Sequence, residues 1–212
     1  MRLSWKCVFV VLLVLESLGE YKGAAGGQDK IDDQIQCSST KSDRQLTRNY
    51  CNKHFNFAFQ YPAQWSIYNG FDGNGVSIYP PSIEKGVWRS TISVGGSIGQ
   101  PSEVDSVHLQ TLQEDYESRV RAMRVGPASV RNIKVVSREV TTVESLPAII
   151  STVEFDRGNP NQSWVLKQIL IHSRDDRVSY HLSLMCKPKD LPVLTQSFTE
   201  VVETFRILGP PA

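Results

Sequence analysis

From Phe55 to Tyr61 the chain alternates aromatic residues with small or polar ones. Phe55, Phe57, Phe59 and Tyr61 fall on one side, and Asn56, Ala58 and Gln60 on the other. A period of two is the repeat of an extended chain, so the pattern predicts a strand with one aromatic face. Pro62 ends it, because proline has no N–H to give to a ladder, and Trp65 follows as a cap on the core. Short strands are predicted around Val76–Tyr79 and Thr91–Gly95. The period then changes to 3.6: Leu109, Leu112, Tyr116, Val120 and Met123 mark one face of a helix. Ser102 and Asp105 cap its start, acidic Glu103 and Asp105 stand at the positive end of its dipole, and Gly126-Pro127 stop it. Four more strand-like runs follow, Ile133–Val140, Ala148–Asp156, Ser163–His172 and Arg177–Cys186, separated by turn-rich links. Links that short force antiparallel pairing. A second helix closes the chain, with Asp190 as cap, Pro192 in its first turn, and Leu194, Phe198, Val201 and Phe205 as its stripe.

These elements make an α+β domain, with two main helices and a central antiparallel sheet of about six or seven strands. The run Trp164–Ile171 is apolar on both faces, so helices are expected on both sides of the sheet.

The N-terminus reads differently. Arg2 and Lys6 precede an apolar run from Cys7 to Leu15. A membrane span needs about 20 apolar residues, so this run is too short to cross, and with small residues after it the segment reads as a secretory signal. Ser17 and Gly19 offer one cleavage pair, Gly23 and Ala25 another. The expected layout is a signal over 1–19 (or to 25), a flexible polar lead-in over 20–50, a domain over 51–208 and a tail over 209–212. A secreted or periplasmic location follows. Cys37, Cys51 and Cys186 then remain, in a compartment that allows oxidation. Cys37–Cys51 closes the shortest loop and is preferred to Cys51–Cys186, since Cys186 sits on the apolar side of its strand.

Charge narrows the partner class. Lys and Arg number 23 against 22 Asp and Glu, a formal net charge of +1. Cleavage after Gly19 leaves the two signs equal. A dedicated nucleic-acid binder would carry a basic excess, so none is expected.

Several groups could carry chemistry. Gly95-Gly96-Ser97-Ile98-Gly99 matches the G-x-S-x-G elbow of serine hydrolases, with His172 or His181 and Asp156 or Asp175 available to complete a triad. The elbow needs a helix directly after the serine. Here Gly99-Gln100-Pro101 intervene, so a glycine-rich strand exit is the plainer reading and hydrolysis the alternative. A two-residue turn at Asp175-Asp176 sets His172 opposite Ser179 and puts His181 diagonally on the same face, about 7–8 Å away. No third ligand accompanies them and Cys-x-x-Cys spacing is absent, so no metal or other cofactor is expected. Asp72-Gly73-Asn74-Gly75 opens like a calcium loop but meets Val76 where the next ligand belongs, and reads as a hairpin turn. Trp88, beside Lys85 and Arg89, and the run Arg119, Arg121 and Arg124 are the candidate anchors for a protein partner. Asn161-Gln162-Ser163 is a glycosylation sequon.

Phe59-x-Tyr61-Pro62-x-x-Trp65 resembles the F-x-Y-P-x-x-W opening of PsbP-like domains. The paired strands Leu166–Ile171 and Val178–Met185, followed by a helix ending Phe198-x-x-x-Val202-x-x-Phe205-Arg206-Ile207, are similar to that family's ending. The similarity covers roughly residues 53–208. It implies an α/β/α sandwich around an antiparallel sheet. The family includes lumenal photosystem subunits, a nuclear-transport factor acting on a small GTPase, and exported bacterial proteins. The resemblance therefore implies protein binding rather than catalysis, with another exported or membrane-associated protein as the partner. A small-molecule carrier using the aromatic face is a further alternative, weakened because the core needs that face.

Overall fold

The computed structural model describes residues 47–70, 74–81, 90–98, 108–125, 130–157, 162–173 and 178–208. The expected signal, most of the lead-in, Cys37, Trp88, Asp175 and the helix cap at Ser102 lie outside these residues. The described elements run β1 (Thr47–Asn52), β2 (Phe57–Pro62), β3 (Ser66–Gly70), β4 (Gly75–Tyr79), β5 (Thr91–Ile98), α1 (His108–Val125), β6 (Val130–Val143), β7 (Leu146–Arg157), β8 (Gln162–His172), β9 (Val178–Cys186), α2 (Leu191–Thr204) and β10 (Arg206–Ile207). The strands form a seven-stranded sheet, ordered β3-β4-β5-β9-β8-β7-β6, and a three-stranded sheet, ordered β1-β2-β10. Every pairing is antiparallel. The α+β class and the two-helix, antiparallel layout follow the sequence expectation.

Two boundaries differ from it. Residues 47–50, assigned above to the lead-in, form the start of β1, whose polar side chains are tolerated because it is an edge strand paired only with β2. The aromatic strand begins at Phe57 rather than Phe55. Asn56 takes a left-handed φ of 49° and breaks the strand there, while the Asn52 side chain accepts the Phe55 N–H at 2.9 Å.

The seven-stranded sheet has two unlike faces. One carries Val76, Ile78, Ile92, Val94, Leu182 and Leu184 among others. It meets Phe57, Phe59 and Tyr61 of β2, Trp65, and Leu194, Phe198 and Val201 of α2, forming a core of 22 buried residues among those described. The expected aromatic face is therefore spent on packing. The Tyr61-Pro62…Trp65 corner is closed by the Trp65 N–H on the Pro62 carbonyl at 3.0 Å.

The other face is covered over β6–β8 by α1. Its apolar residues fall into two separate groups. Leu112, Tyr116 and Val120 of α1 pack on Ile149 and Leu170. Val153, Phe155, Trp164, Leu166 and Met185 form the second group, against which Met123 rests. Between them a polar row crosses the sheet, one residue per strand: Ser77, Ser93, Ser183, Gln168, Ser151 and Arg138. Ser77 and Ser93 hydroxyls lie 3.1 Å apart, and the Gln168 amide donates to Ser151 at 3.1 Å.

Candidate functional site

The histidines lie under α1. His172 pairs with Ser179 and His181 with Leu170, so both imidazoles share the α1 face, as the turn length predicts. His172 is 3% exposed, and its Nε2 stands 3.2 Å from an Asp115 oxygen. Arg119, one helical turn on, donates its Nε–H to the other Asp115 oxygen at 3.1 Å. Burial works to raise the Asp115 carboxyl, but the His172 hydrogen bond and the Arg119 guanidinium outweigh it and hold the group below the usual carboxylate value. Asp115 is thus ionised at neutral pH.

His181 leans across to β5. A Cβ on Gly95, its ladder partner, would lie 2.6 Å from the imidazole Cε1, so the ring rests where a side chain would be. The residue is partly exposed, but its Nδ1 is enclosed and finds no hydrogen-bond partner among the described residues. Burial, then the nearby Arg119 charge, push the imidazole down to about 3, against a weaker upward pull from Asp115. His181 is neutral across the physiological range.

Ser97 does not stand on an elbow. It lies inside β5 in unbroken antiparallel register (Gly95↔His181, Gly96↔Tyr180, Ser97↔Ser179, Ile98↔Val178). Its hydroxyl faces the Ser179 carbonyl at 3.5 Å. The glycine pair before it has a packing reason: Gly95 seats the His181 ring on one face, and Gly96 seats the Phe55 ring on the other. Of the two aspartates offered as triad members, Asp156 lies at the far end of β7. It accepts hydrogen bonds from Asn132 at 2.8 Å and Ser163 at 2.9 Å, which hold its carboxyl low. Asp175 is outside the described residues. Among the described residues no group of three His, Cys, Asp or Glu could hold a metal.

The three arginines of α1 separate. Arg119 turns inward to Asp115, so it leaves the basic surface. Arg121 and Arg124 are exposed. Met123, between them in sequence, rests on the same apolar group as Val130 and Ile133 of β6, and α1 contacts β6. There Arg131 and Lys134 are exposed too, followed along the sheet edge by Val135, Val136 and Val140 at 37%, 48% and 46% exposure. Arg138 stacks 4.8 Å over the Tyr116 ring and reaches Glu117 at 3.5 Å.

Sequence reasoning missed Asp115. The signal was present: Leu112, Asp115, Tyr116 and Arg119 share the inner face of one helix, and a charged pair on an apolar stripe asks for a partner. Of the cysteines, Cys51 is disulfide-bonded to a residue outside the described ones, and Cys186 is a buried free thiol that burial pushes up to about 12. The alternative bridge Cys51–Cys186 is thereby ruled out. No helix among the described residues is long and apolar enough to cross a membrane.

No family model matches this chain, and no curated protein does. Solved structures do. It is similar to cyanobacterial PsbP (CyanoP) from Synechocystis, with 13% identity, 88% of this chain and 98% of that one covered, and a TM-score of 0.53. It is similar to the Ran-binding protein Mog1p of Saccharomyces cerevisiae, at 9% identity, covering 76% and 95%, with a TM-score of 0.53. LpqN of Mycobacterium tuberculosis, involved in cell envelope biogenesis, matches at 10% identity over 77% and 92%, with a TM-score of 0.51. Identities this low carry the fold alone, and that fold is PsbP/Mog1-like.

Proposed function

We propose that this chain is an exported, non-enzymatic protein-binding module that meets its partner through the exposed end of α1 and the β6 edge. The observation that carries the reading is that corner: Arg121, Arg124, Arg131 and Lys134 beside three exposed valines on a sheet edge. Aliphatic area gives a partner something to desolvate, and the cations select an acidic surface and steer its approach. β6 offers side chains rather than a backbone template. Register shifts fall between Arg131 and Lys134 and between Val135 and Ser137, and Asn132 takes a φ of 53°, so a straight added strand would not fit. The Ran-binding activity of Mog1p, on the same fold, supports protein binding as the class. The disulfide at Cys51 supports an oxidising compartment and with it the N-terminal signal; Cys37 is the partner we assign.

Photo-crosslinkers placed at Arg124 and Val136, against a control at Gln196 on α2, test the surface. A protein captured at the first two sites and released by Arg121→Glu/Arg124→Glu is the expected result. Capture equal at Gln196, or unaffected by the charge reversal, sinks the assignment. A fluorophosphonate probe tests the other half: label on Ser97 that Ser97→Ala removes would make this chain an enzyme.

A further inference from the structure

We propose that α1 is an acid-released helix, sprung from the sheet when His181 takes up a proton. Three features of its seat point there. First, α1 is held by two small apolar groups split by the polar row, whereas the larger core lies wholly on the opposite face of the sheet. Lifting α1 leaves that core intact and uncovers a surface already half polar.

Second, the charge arrangement under α1 has no room for another cation. Among the described residues, the groups facing His181 are Asp115 and Arg119 from α1 and His172 from β8, with Ser93, Gly95 and Ser97 on the same side of β5. Asp115 is the one anion among them, and it is already divided between His172 and Arg119. A proton on His181 sets a positive charge near the Arg119 guanidinium, at a ring whose Nδ1 is enclosed. Because Arg119 rides on α1, lifting the helix separates the two charges and lets water reach the imidazole.

Third, the ring has no escape within the folded sheet. It lies on the Gly95 backbone, with its Nδ1 enclosed, so a proton added at Nδ1 finds no acceptor among the described residues. The strong downward push on this imidazole agrees with that geometry. Arg138, on Glu117 and Tyr116, is a second tie between α1 and β6.

Native-state hydrogen exchange of the full chain, read by mass spectrometry from pH 7.5 to 4.5 and corrected for intrinsic rates, tests the device. One proton gained on opening lowers protection about tenfold per pH unit. Amides of α1 should therefore lose about fiftyfold between pH 6.5 and 4.5, while those of α2 and β9 stay protected. His181→Gln, neutral at every pH, should keep α1 protected at pH 4.5. Loss of α1, α2 and β9 protection together overturns the proposal, as does α1 protection at pH 4.5 equal to that at pH 6.5 or an unchanged pH slope in His181→Gln. Should that variant not fold, the comparison of α1 with α2 and β9 in the unmodified chain decides alone.

Discussion

At the scale of single residues, the Gly95-Gly96 pair shows how a sequence motif can match chemistry and serve packing. Each glycine faces a ring, on opposite sides of one strand. Gly96→Ala drives a methyl into Phe55, which is 2% exposed and cannot swing to solvent. Overpacking at such a site costs about 1–3 kcal/mol, read as a lowered urea midpoint with unchanged slope. A second backbone feature points the other way. Glu144 and Ser145, the turn between β6 and β7, both have positive φ, 52° and 63°. That is the backbone of a primed hairpin turn, which favours Asn-Gly. Ser145→Gly removes a left-handed penalty of about 1–2 kcal/mol and adds a smaller entropy cost, so it should stabilise the protein by about 0.5–1 kcal/mol in the same assay. Neither residue was legible from composition. Ring placement and turn type depend on which strands meet, and a single sequence does not say so.

At the scale of elements, legibility followed burial. β7, β8 and β9 carry long apolar runs and were found within a residue or two, and the His172–Ser179 register followed from the turn between them. β1, β3 and β10 were not found. β1 is a polar edge, β3 offers Ser-Ile-Tyr-Asn-Gly with little contrast between its sides, and β10 is two residues long. The Asp115 link was hidden for another reason: it joins a helix to a strand 57 residues away, and helix placement is set by tertiary packing. This link and His181 give α1 a signed pH dependence. His181 falls from 6.5 to about 3 on folding, so below pH 6.5 the unfolded chain binds a proton that the folded chain refuses. Its stabilising share is complete above 6.5 and is lost as pH drops toward 3, at up to about 1.4 kcal/mol per pH unit. Asp115, also lowered on folding, adds a loss that starts below its ordinary value of 3.8. Urea denaturation at pH 7 and pH 5 should show the decline, and His181→Gln should flatten it. Equal stability at both pH values in the unmodified chain would contradict the assignment.

At the scale of the whole molecule, the seven-stranded sheet divides the protein into unequal halves. The face toward α2 and β2 is a continuous core; the face toward α1 is two patches with a polar row between them. Cooperativity should follow that division, because an element's local stability tracks the apolar contacts that would be lost if it opened alone. Phe198 is 2% exposed in the large core, and Leu112 is fully buried in one of the small patches. Truncating either to alanine removes several kcal/mol of packing, about 3–5 for the phenylalanine and 2–5 for the leucine. The consequences should differ in reach. Phe198→Ala weakens the contact that ties α2 to the sheet, so hydrogen exchange should accelerate in α1, α2, β8 and β9 alike. Leu112→Ala weakens only the seat of α1, so exchange should accelerate in α1 while α2 and β9 keep their protection at neutral pH. Uniform acceleration in Leu112→Ala would mean that the two faces unfold as one, and the polar row would then be no boundary at all.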